Sequence, residues 1–244
     1  MSGKSLKAAV CGWVLMAAGA VHAADFSVGR VDISFGETGW KELALPDESQ
    51  AYGGEKDGAL AVQAKLYLLE ASADEGQTLV LVSTNSQGLG GGRGGYMTYN
   101  PDCKSDAKNY REGNEGFSAR FLQCLTVTPL YTSDSVFQAL APQVPALQAA
   151  GVVSVRRPVY TVWSRYAIST GSFLDVRVFT VAPFRDGGAA VTEPVPDGVP
   201  AAHVAWGRQL TDAVKSSVHS LTGRLTMPVL RPAPPAKGGQ GTPG

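Results

Sequence analysis

The stretch VYTVWSRYAISTGSFLDVRVFTVA, residues 159–182, decides the fold. It contains two runs, 159–168 and 173–182, that are rich in β-branched and aromatic side chains. The segment STGS between them is short and polar, and it includes the glycine that tight turns favour. We therefore predict two antiparallel strands joined as a hairpin.

A second hairpin is predicted upstream. Apolar side chains occupy every second position of one run: Leu60, Val62, Ala64, Leu66 and Leu68. The positions between them include Gln63, Lys65 and Tyr67, and such alternation predicts a half-buried strand. Glu75-Gly76 is expected to turn the chain into a second run, 78–83.

The first strand of the sheet is expected near residue 31. Apolar side chains alternate with polar ones at Val31, Ile33 and Phe35. Phe26 and Val28 have the opposite phase, so we expect one continuous strand whose register is shifted by a bulge near Gly29.

Two segments have the spacing of helices. The first, 133–151, has apolar residues at steps of three and four, and Pro142 and Pro145 should leave it broken or short. The second begins near Pro200 and ends at Gly223. It carries one apolar stripe: Trp206, Leu210, Val214, Val218 and Leu221.

The fold class that follows is α+β. We expect a mostly antiparallel β-sheet of about six to eight strands, with a long C-terminal helix and a short middle helix packed on it. Residues 24–230 are expected to form a single domain. The Pro/Gly-rich tail 231–244, RPAPPAKGGQGTPG, offers no side chain for a core and is expected to be disordered.

The N-terminal residues resemble an export signal. Lys4 and Lys7 precede an uncharged apolar run at 8–21, which is 14 residues long counting both ends, and small side chains follow it. A bilayer-spanning helix needs about 20 apolar residues, so no transmembrane span is expected. We predict a cleaved signal peptide, 1–23, with the cut between Ala23 and Ala24, and an exported protein in the periplasm or the outside medium.

The cysteines point to an oxidising compartment. Cleavage would remove Cys11 and leave the even pair Cys103 and Cys124, the latter on a strand predicted at 121–128. A disulfide between them would close a loop of about 20 residues, and in the chain-entropy model a loop of this length stabilises the fold by about 3 kcal/mol. Two separate buried thiols are the alternative.

Charge and composition restrict the class of partner. The chain has 21 Lys+Arg and 21 Asp+Glu among 244 residues, with 44% hydrophobic residues. A protein with this charge balance lacks the broad basic surface that binds nucleic acid by counterion release, so no nucleic acid partner is expected. The partner is expected to be an unknown small molecule, a peptide or a component of the cell envelope.

Catalytic and metal motifs are sparse. His203 and His219 should point to nearly opposite sides of one helix, each partly exposed, so neither a metal site nor a cofactor is expected. The sequence has no Gly-x-Ser-x-Gly nucleophile elbow, so a serine hydrolase is not expected. A carboxylate pair could still hydrolyse a polymer. The candidates are Glu70, Asp74, Glu75, Glu112 and Glu115, and the favoured alternative is that they solvate turns.

Two segments are candidates for ligand binding. The glycine-rich stretch QGLGGGRGGYMTY, 87–99, would bring Arg93, Tyr96 and Tyr99 to an anionic ligand; a mobile connection with Arg93 in water is the alternative. Trp163 and Arg165 share one face of the predicted strand and could form an amphipathic patch. Alternatively, Trp163 packs under the last helix and Arg165 extends past it.

These observations favour an exported, non-catalytic binding or envelope-accessory protein whose ligand the sequence does not name. A hydrolase that cleaves an envelope polymer through a carboxylate pair is the alternative. A structural envelope protein that uses its tail as a spacer is a third hypothesis.

Overall fold

The computed structural model describes the chain in eleven segments: 25–45, 50–52, 60–69, 77–85, 103–114, 121–131, 138–152, 159–168, 171–180, 196–220 and 222–230. The predicted signal peptide, its Ala23–Ala24 cleavage site, the glycine-rich stretch 87–99 and the tail 231–244 lie outside the described residues. The predictions made for them therefore stay predictions.

Eleven strands and two α-helices are formed by the described residues. The strands are β1 Asp25–Val28, β2 Val31–Ser34, β3 Trp40–Leu43, β4 Gln50–Tyr52, β5 Leu60–Leu69, β6 Thr78–Asn85, β7 Tyr110–Gly113, β8 Phe121–Leu130, β9 Val159–Ile168, β10 Phe173–Thr180 and β11 Arg224–Thr226. The helices are α1 Val144–Ala149, which follows a 3₁₀ turn at Ala141–Gln143, and α2 Ala201–His219.

Eight of the strands form one antiparallel sheet. Its order is β3-β5-β6-β10-β9-β8-β7, and β4 pairs with β5 beside this path. The β9–β10 hairpin places Arg165 opposite Asp175, and the β5–β6 hairpin places Leu66 opposite Leu81. Both predicted hairpins and the α+β class are thereby confirmed.

The first predicted strand is wrong in detail. The chain reverses at Gly29, whose φ is +55°, so β1 and β2 form a hairpin in which Val28 lies opposite Val31. The change of hydrophobic phase that suggested a bulge is the result of this turn. Beyond Gly223, β11 adds to the hairpin as a parallel partner of β2, giving a separate three-stranded sheet.

Apolar cores cover both faces of the large sheet. Helix α2 and the small sheet lie on one face, where Leu210 and Val214 pack with residues such as Val162 and Tyr67. On the other face, Leu140 and Leu147 of the α1 region pack on one end of the sheet.

The half-buried character predicted for β5 is correspondingly wrong at its C-terminal end. Tyr67 was expected on the polar side, but it is fully buried against the small sheet, while Leu66 and Leu68 are buried on the opposite face. Burial on both faces removes the alternation that a half-exposed strand has.

Helix α2 crosses the sheet closely at Gly207. A Cβ at this position would lie 2.8 Å from Leu125 Cδ1 and 3.0 Å from Val162 Cγ1, so a larger residue would force these side chains to shift. The prediction that both histidines are partly exposed is wrong for His203, which is fully buried near the ring of Tyr160. His219 is exposed at the last turn.

No helix in the part of the chain that the structure describes is long and apolar enough to cross a bilayer.

Candidate ligand site

The predicted disulfide between Cys103 and Cys124 is present, with an Sγ–Sγ distance of 2.03 Å. The segment that it encloses was expected to have little other support, yet it contains β7, which pairs along β8. Gly113 lies opposite Cys124, and a Cβ there would lie 2.0 Å from the Gln123 carbonyl oxygen. The disulfide therefore links the segment before β7 to β8, at a point where the backbones of β7 and β8 are tightly packed.

The face of the sheet that bears Cys124 also carries Trp163 and Arg165. Trp163 lies between Thr126 on β8 and Arg177 on β10, while Arg165 lies between Cys124 and Asp175. Because side chains alternate along a strand, these residues all lie on one face. We call Trp163, Arg165, Asp175 and Arg177 the Trp163 cluster.

Helix α2 lies on the opposite face. The intervening residues of β9 face the helix, since the Ser164 hydroxyl donates to Thr211 Oγ1 at 3.1 Å and the Tyr166 hydroxyl lies 2.8 Å from His219 Nε2. The alternative in which Trp163 packs under the last helix is therefore wrong. Trp163 and Arg165 share the face of β9 that points away from α2, as the patch interpretation required.

Asp175 holds the cluster together. Its Oδ1 accepts a hydrogen bond of 2.5 Å from the indole Nε1 of Trp163, and its Oδ2 accepts one of 3.3 Å from Arg165 Nε. The guanidinium carbons of Arg165 and Arg177 lie 4.0 Å and 3.8 Å from the centre of the Trp163 ring. Cation–π attraction and the carboxylate thus fix the indole and both arginines relative to one another.

The cluster carries an excess of positive charge in a partly desolvated position. Exposed fractions of the side chains are 12% for Arg165, 11% for Asp175 and 26% for Arg177. Among the side chains that the structure describes, the guanidinium groups of Arg165 and Arg177 face the carboxylate of Asp175. Arg177 Nε lies 3.8 Å from Asp175 Oδ1, which is an ion pair but too long for a hydrogen bond.

The alternation along β9 predicted two members of the cluster, Trp163 and Arg165, whereas the other two lie on the partner strand β10. The missing signal was the hairpin register: Phe173 pairs with Ala167 and not with Ile168, which places position 165 opposite position 175 and position 163 opposite position 177. Arg93, Tyr96 and Tyr99, the other predicted ligand-binding residues, lie outside the described residues.

Of the five predicted carboxylate candidates, only Glu112 lies within the described residues, so their pairing stays a prediction. Glu112 Oε2 accepts hydrogen bonds from the Tyr110 hydroxyl at 2.5 Å and from Arg208 Nε at 2.7 Å. Burial, followed by the hydrogen bond to Glu112, raises the pKa of Tyr110, and the same carboxylate raises the pKa of Arg208. Glu112 thus joins β7 to α2. The other four candidates, Glu70, Asp74, Glu75 and Glu115, lie outside the described residues.

A groove between the two sheets contains carboxylates that the sequence analysis did not select. It has a volume of about 490 Å³ and is lined in part by Asp25, Asp32 and Glu42. Lys65 and Arg224 line it as well, and Lys65 Nζ forms an ion pair with Glu42 Oε1 at 2.8 Å. Across the described segments, no group of three or more His, Cys, Asp or Glu side chains has a geometry that could hold a metal ion.

Comparisons with known proteins identify no relative: no protein family, no curated protein and no solved structure matches this chain.

Proposed function

We propose that this chain is an exported, non-catalytic binding or envelope-accessory protein that holds its ligand on the face of the large sheet opposite α2. The observation that carries the proposal is the Trp163 cluster. An indole held in place by a carboxylate and flanked by two guanidinium groups combines an apolar platform with directed hydrogen-bond donors, and such sites recognise ligands.

The state of Asp175 favours binding over catalysis at this position. A general base needs a carboxylate oxygen that can reach the proton of a substrate. Both oxygens of Asp175 already accept hydrogen bonds from members of the cluster. The carboxylate therefore orients the indole and Arg165, and a role as base would compete with these two hydrogen bonds.

The location outside the cytoplasm has two supports. Disulfides persist in oxidising compartments, and Cys103 and Cys124 form one. The first 23 residues have the order of a signal peptide. Together they favour the periplasm or the outside medium.

Native mass spectrometry tests the proposal. The chain is produced with its own N-terminal segment, recovered from the envelope fraction of its host without reductant, and weighed before and after denaturation. We expect a discrete adduct that leaves on denaturation, together with a mass that corresponds to residues 24–244 less two hydrogens.

The matched variants are Trp163→Leu and Tyr131→Leu. Tyr131 is an aromatic side chain with 63% exposure, outside the cluster. Loss of the adduct in Trp163→Leu with retention in Tyr131→Leu would support the proposed site. Equal retention in both variants would refute it.

A second candidate function is favoured by the groove between the sheets. Asp25, Asp32 and Glu42 line this groove, and glycosidases act through a pair of carboxylates, one as acid and the other as base or nucleophile. The candidate is a hydrolase that cleaves an envelope polymer. Its test is release of fragments from purified envelope polysaccharide by the wild-type chain, by Asp32→Asn and by the control Asp212→Asn on α2. Turnover that disappears only in Asp32→Asn would replace the binding proposal with this one.

A further inference from the structure

We infer that the ligand of the Trp163 cluster carries an anionic group, a carboxylate or a phosphate, and that Arg177 is its main contact. This inference rests on the proposed function, because it specifies the ligand class of the same site.

The Trp163 cluster contains two positively charged side chains and one negatively charged side chain. Arg165 and Arg177 both lie within 4.0 Å of the centre of one indole ring, and among the described residues Asp175 is the carboxylate that forms ion pairs with them. Because the three charged side chains are at most about a quarter exposed, water screens the repulsion between the arginines incompletely. A second anion at this place would balance the charge.

The second argument is the hydrogen-bonding state of Arg177. Among the residues that the structure describes, none accepts a hydrogen bond from its guanidinium group, whose contacts are the Trp163 ring and the 3.8 Å ion pair. A guanidinium group offers five N–H donors in a planar fork. Stacking on the indole orients this fork while leaving its donors unused, which is the arrangement that binds a carboxylate or phosphate through two parallel hydrogen bonds.

The third argument is the division of roles between the two arginines. Arg165 donates from Nε to Asp175 Oδ2 at 3.3 Å and is only 12% exposed, so it belongs to the scaffold of the site. Arg177 is about twice as exposed and lies directly opposite Trp163 in the register. An incoming anion therefore reaches Arg177 first, with the indole beside it.

The test uses simple anions as probes. The oxidised full chain, labelled with ¹⁵N, is titrated with sodium acetate and, separately, with sodium phosphate, against sodium chloride at the same ionic strength. The reporter is the indole N–H of Trp163, assigned by its absence in Trp163→Phe. We expect a saturable shift with acetate or phosphate beyond that with chloride. The stronger of the two responses identifies the anionic group as carboxylate or phosphate.

Two charge-matched variants assign the contact. Arg177→Gln removes one positive charge from the cluster, and Lys215→Gln removes one from the exposed side of α2 on the other face. We expect the affinity for the better probe to fall at least about tenfold in Arg177→Gln and to stay within about twofold in Lys215→Gln. Equal weakening in both variants would mean nonspecific charge attraction and would overturn the inference.

The failure of this inference can be told apart from the failure of the proposed function. An adduct that depends on Trp163 but survives Arg177→Gln, together with no saturable response to either anion, would leave a binding site without an anionic ligand. The loss of the Trp163 dependence itself would remove the site. Far-UV circular dichroism and the unfolding midpoint of Arg177→Gln establish that the variant is folded.

Discussion

Asp175 is the residue on which the Trp163 cluster depends. With the carboxylate replaced by an amide in Asp175→Asn, the two arginines lose their counter-charge in a position that is mostly shielded from water. Hydrogen bonds to charged groups contribute roughly 1.5–3 kcal/mol, so we expect the free energy of unfolding to fall by about 2 kcal/mol. Urea unfolding at pH 7 measures it. The exposed Asp212→Asn serves as control, and an equally small change in both would contradict this role.

Gly113 is required by space rather than by backbone conformation. A Cβ at this position would lie 2.0 Å from Gln123 O and 3.0 Å from Cys103 Sγ, so Gly113→Ala must displace β7 or the disulfide. We expect a loss of about 2 kcal/mol or more in unfolding free energy. At Gly36 the nearest atom is Val229 Cγ2 at 3.4 Å, so Gly36→Ala should change stability by less than about 0.5 kcal/mol. A tolerated Gly113→Ala would show that the hairpin can shift.

Burial of the Tyr67 hydroxyl makes the free energy of unfolding depend on pH in the alkaline range. Burial, and to a lesser degree the charge of Glu42, raises its pKa, and its hydroxyl makes no hydrogen bond to the rest of the described chain. An unfolded tyrosine ionises near pH 10, so above that pH the unfolded state holds fewer protons than the folded state. The tyrosine's contribution to stability is therefore present below about pH 10 and is lost as the pH rises further.

Tyr67→Phe tests this linkage. At pH 7 we expect unchanged or slightly higher stability, because the variant removes a hydroxyl without a partner from the core. Between pH 10 and pH 12 the decline should be shallower than in the wild type, by up to about 1.4 kcal/mol per pH unit. Guanidinium unfolding across this range measures it, with the exposed Tyr131→Phe as control. Parallel curves for wild type and Tyr67→Phe would exclude Tyr67 as the source.

At the scale of elements, the disulfide and the β7–β8 pairing stabilise the same hairpin. Cys103 and Cys124 are 21 residues apart in sequence, and a closed loop of this length is worth about 3 kcal/mol in the chain-entropy model. Under oxidising conditions Cys103→Ser should lower the free energy of unfolding by an amount of this order. With reductant the wild type should lose most of this advantage, which thermal unfolding with and without dithiothreitol measures. An equal deficit in both conditions would point to packing of the buried cysteine and not to the bond.

At the scale of the whole molecule, the last described residues, which follow β11, contact both α2 and the segment after β2. After β11, the Val229 carbonyl accepts a hydrogen bond from Trp206 Nε1 at 3.0 Å, and the Leu230 N–H donates to Glu37 Oε1. These contacts tie the C-terminal segment to α2 and to the turn after β2. The predicted tail begins only at residue 231.

Two truncations test this division. A chain ending at Leu230 should keep its unfolding midpoint within about 2 °C, because no described contact is removed. A chain ending at Gly223 loses β11 and three buried side chains: Leu225, Met227 and Leu230. Each such loss costs roughly 2–5 kcal/mol, so this chain should be largely unfolded by circular dichroism. If the chain that ends at Leu230 is already unfolded, the tail belongs to the domain and the spacer hypothesis fails.

Most of the sheet could be predicted because its signals are local. The β5–β6 and β9–β10 hairpins show a period of two and turn residues between their strands, and the apolar stripe of α2 has a helical period. The short strands β3, β7 and β11 were missed, since three or four residues are too few to show a period. Half of the Trp163 cluster could be predicted for the same reason, because Trp163 and Arg165 lie on one strand.

The sequence by itself therefore determined the antiparallel hairpins, the α+β class and the two helical segments, and it favoured the pairing of Cys103 with Cys124 over two separate thiols, since each depends on residues close in the chain or on residue type. Only the tertiary structure decided that β11 runs parallel to β2, that Tyr67 is buried, and that Arg177 and Asp175 complete the cluster around Trp163. Strand pairing between distant segments and burial on both faces depend on the summed packing of the whole chain, which no local pattern encodes.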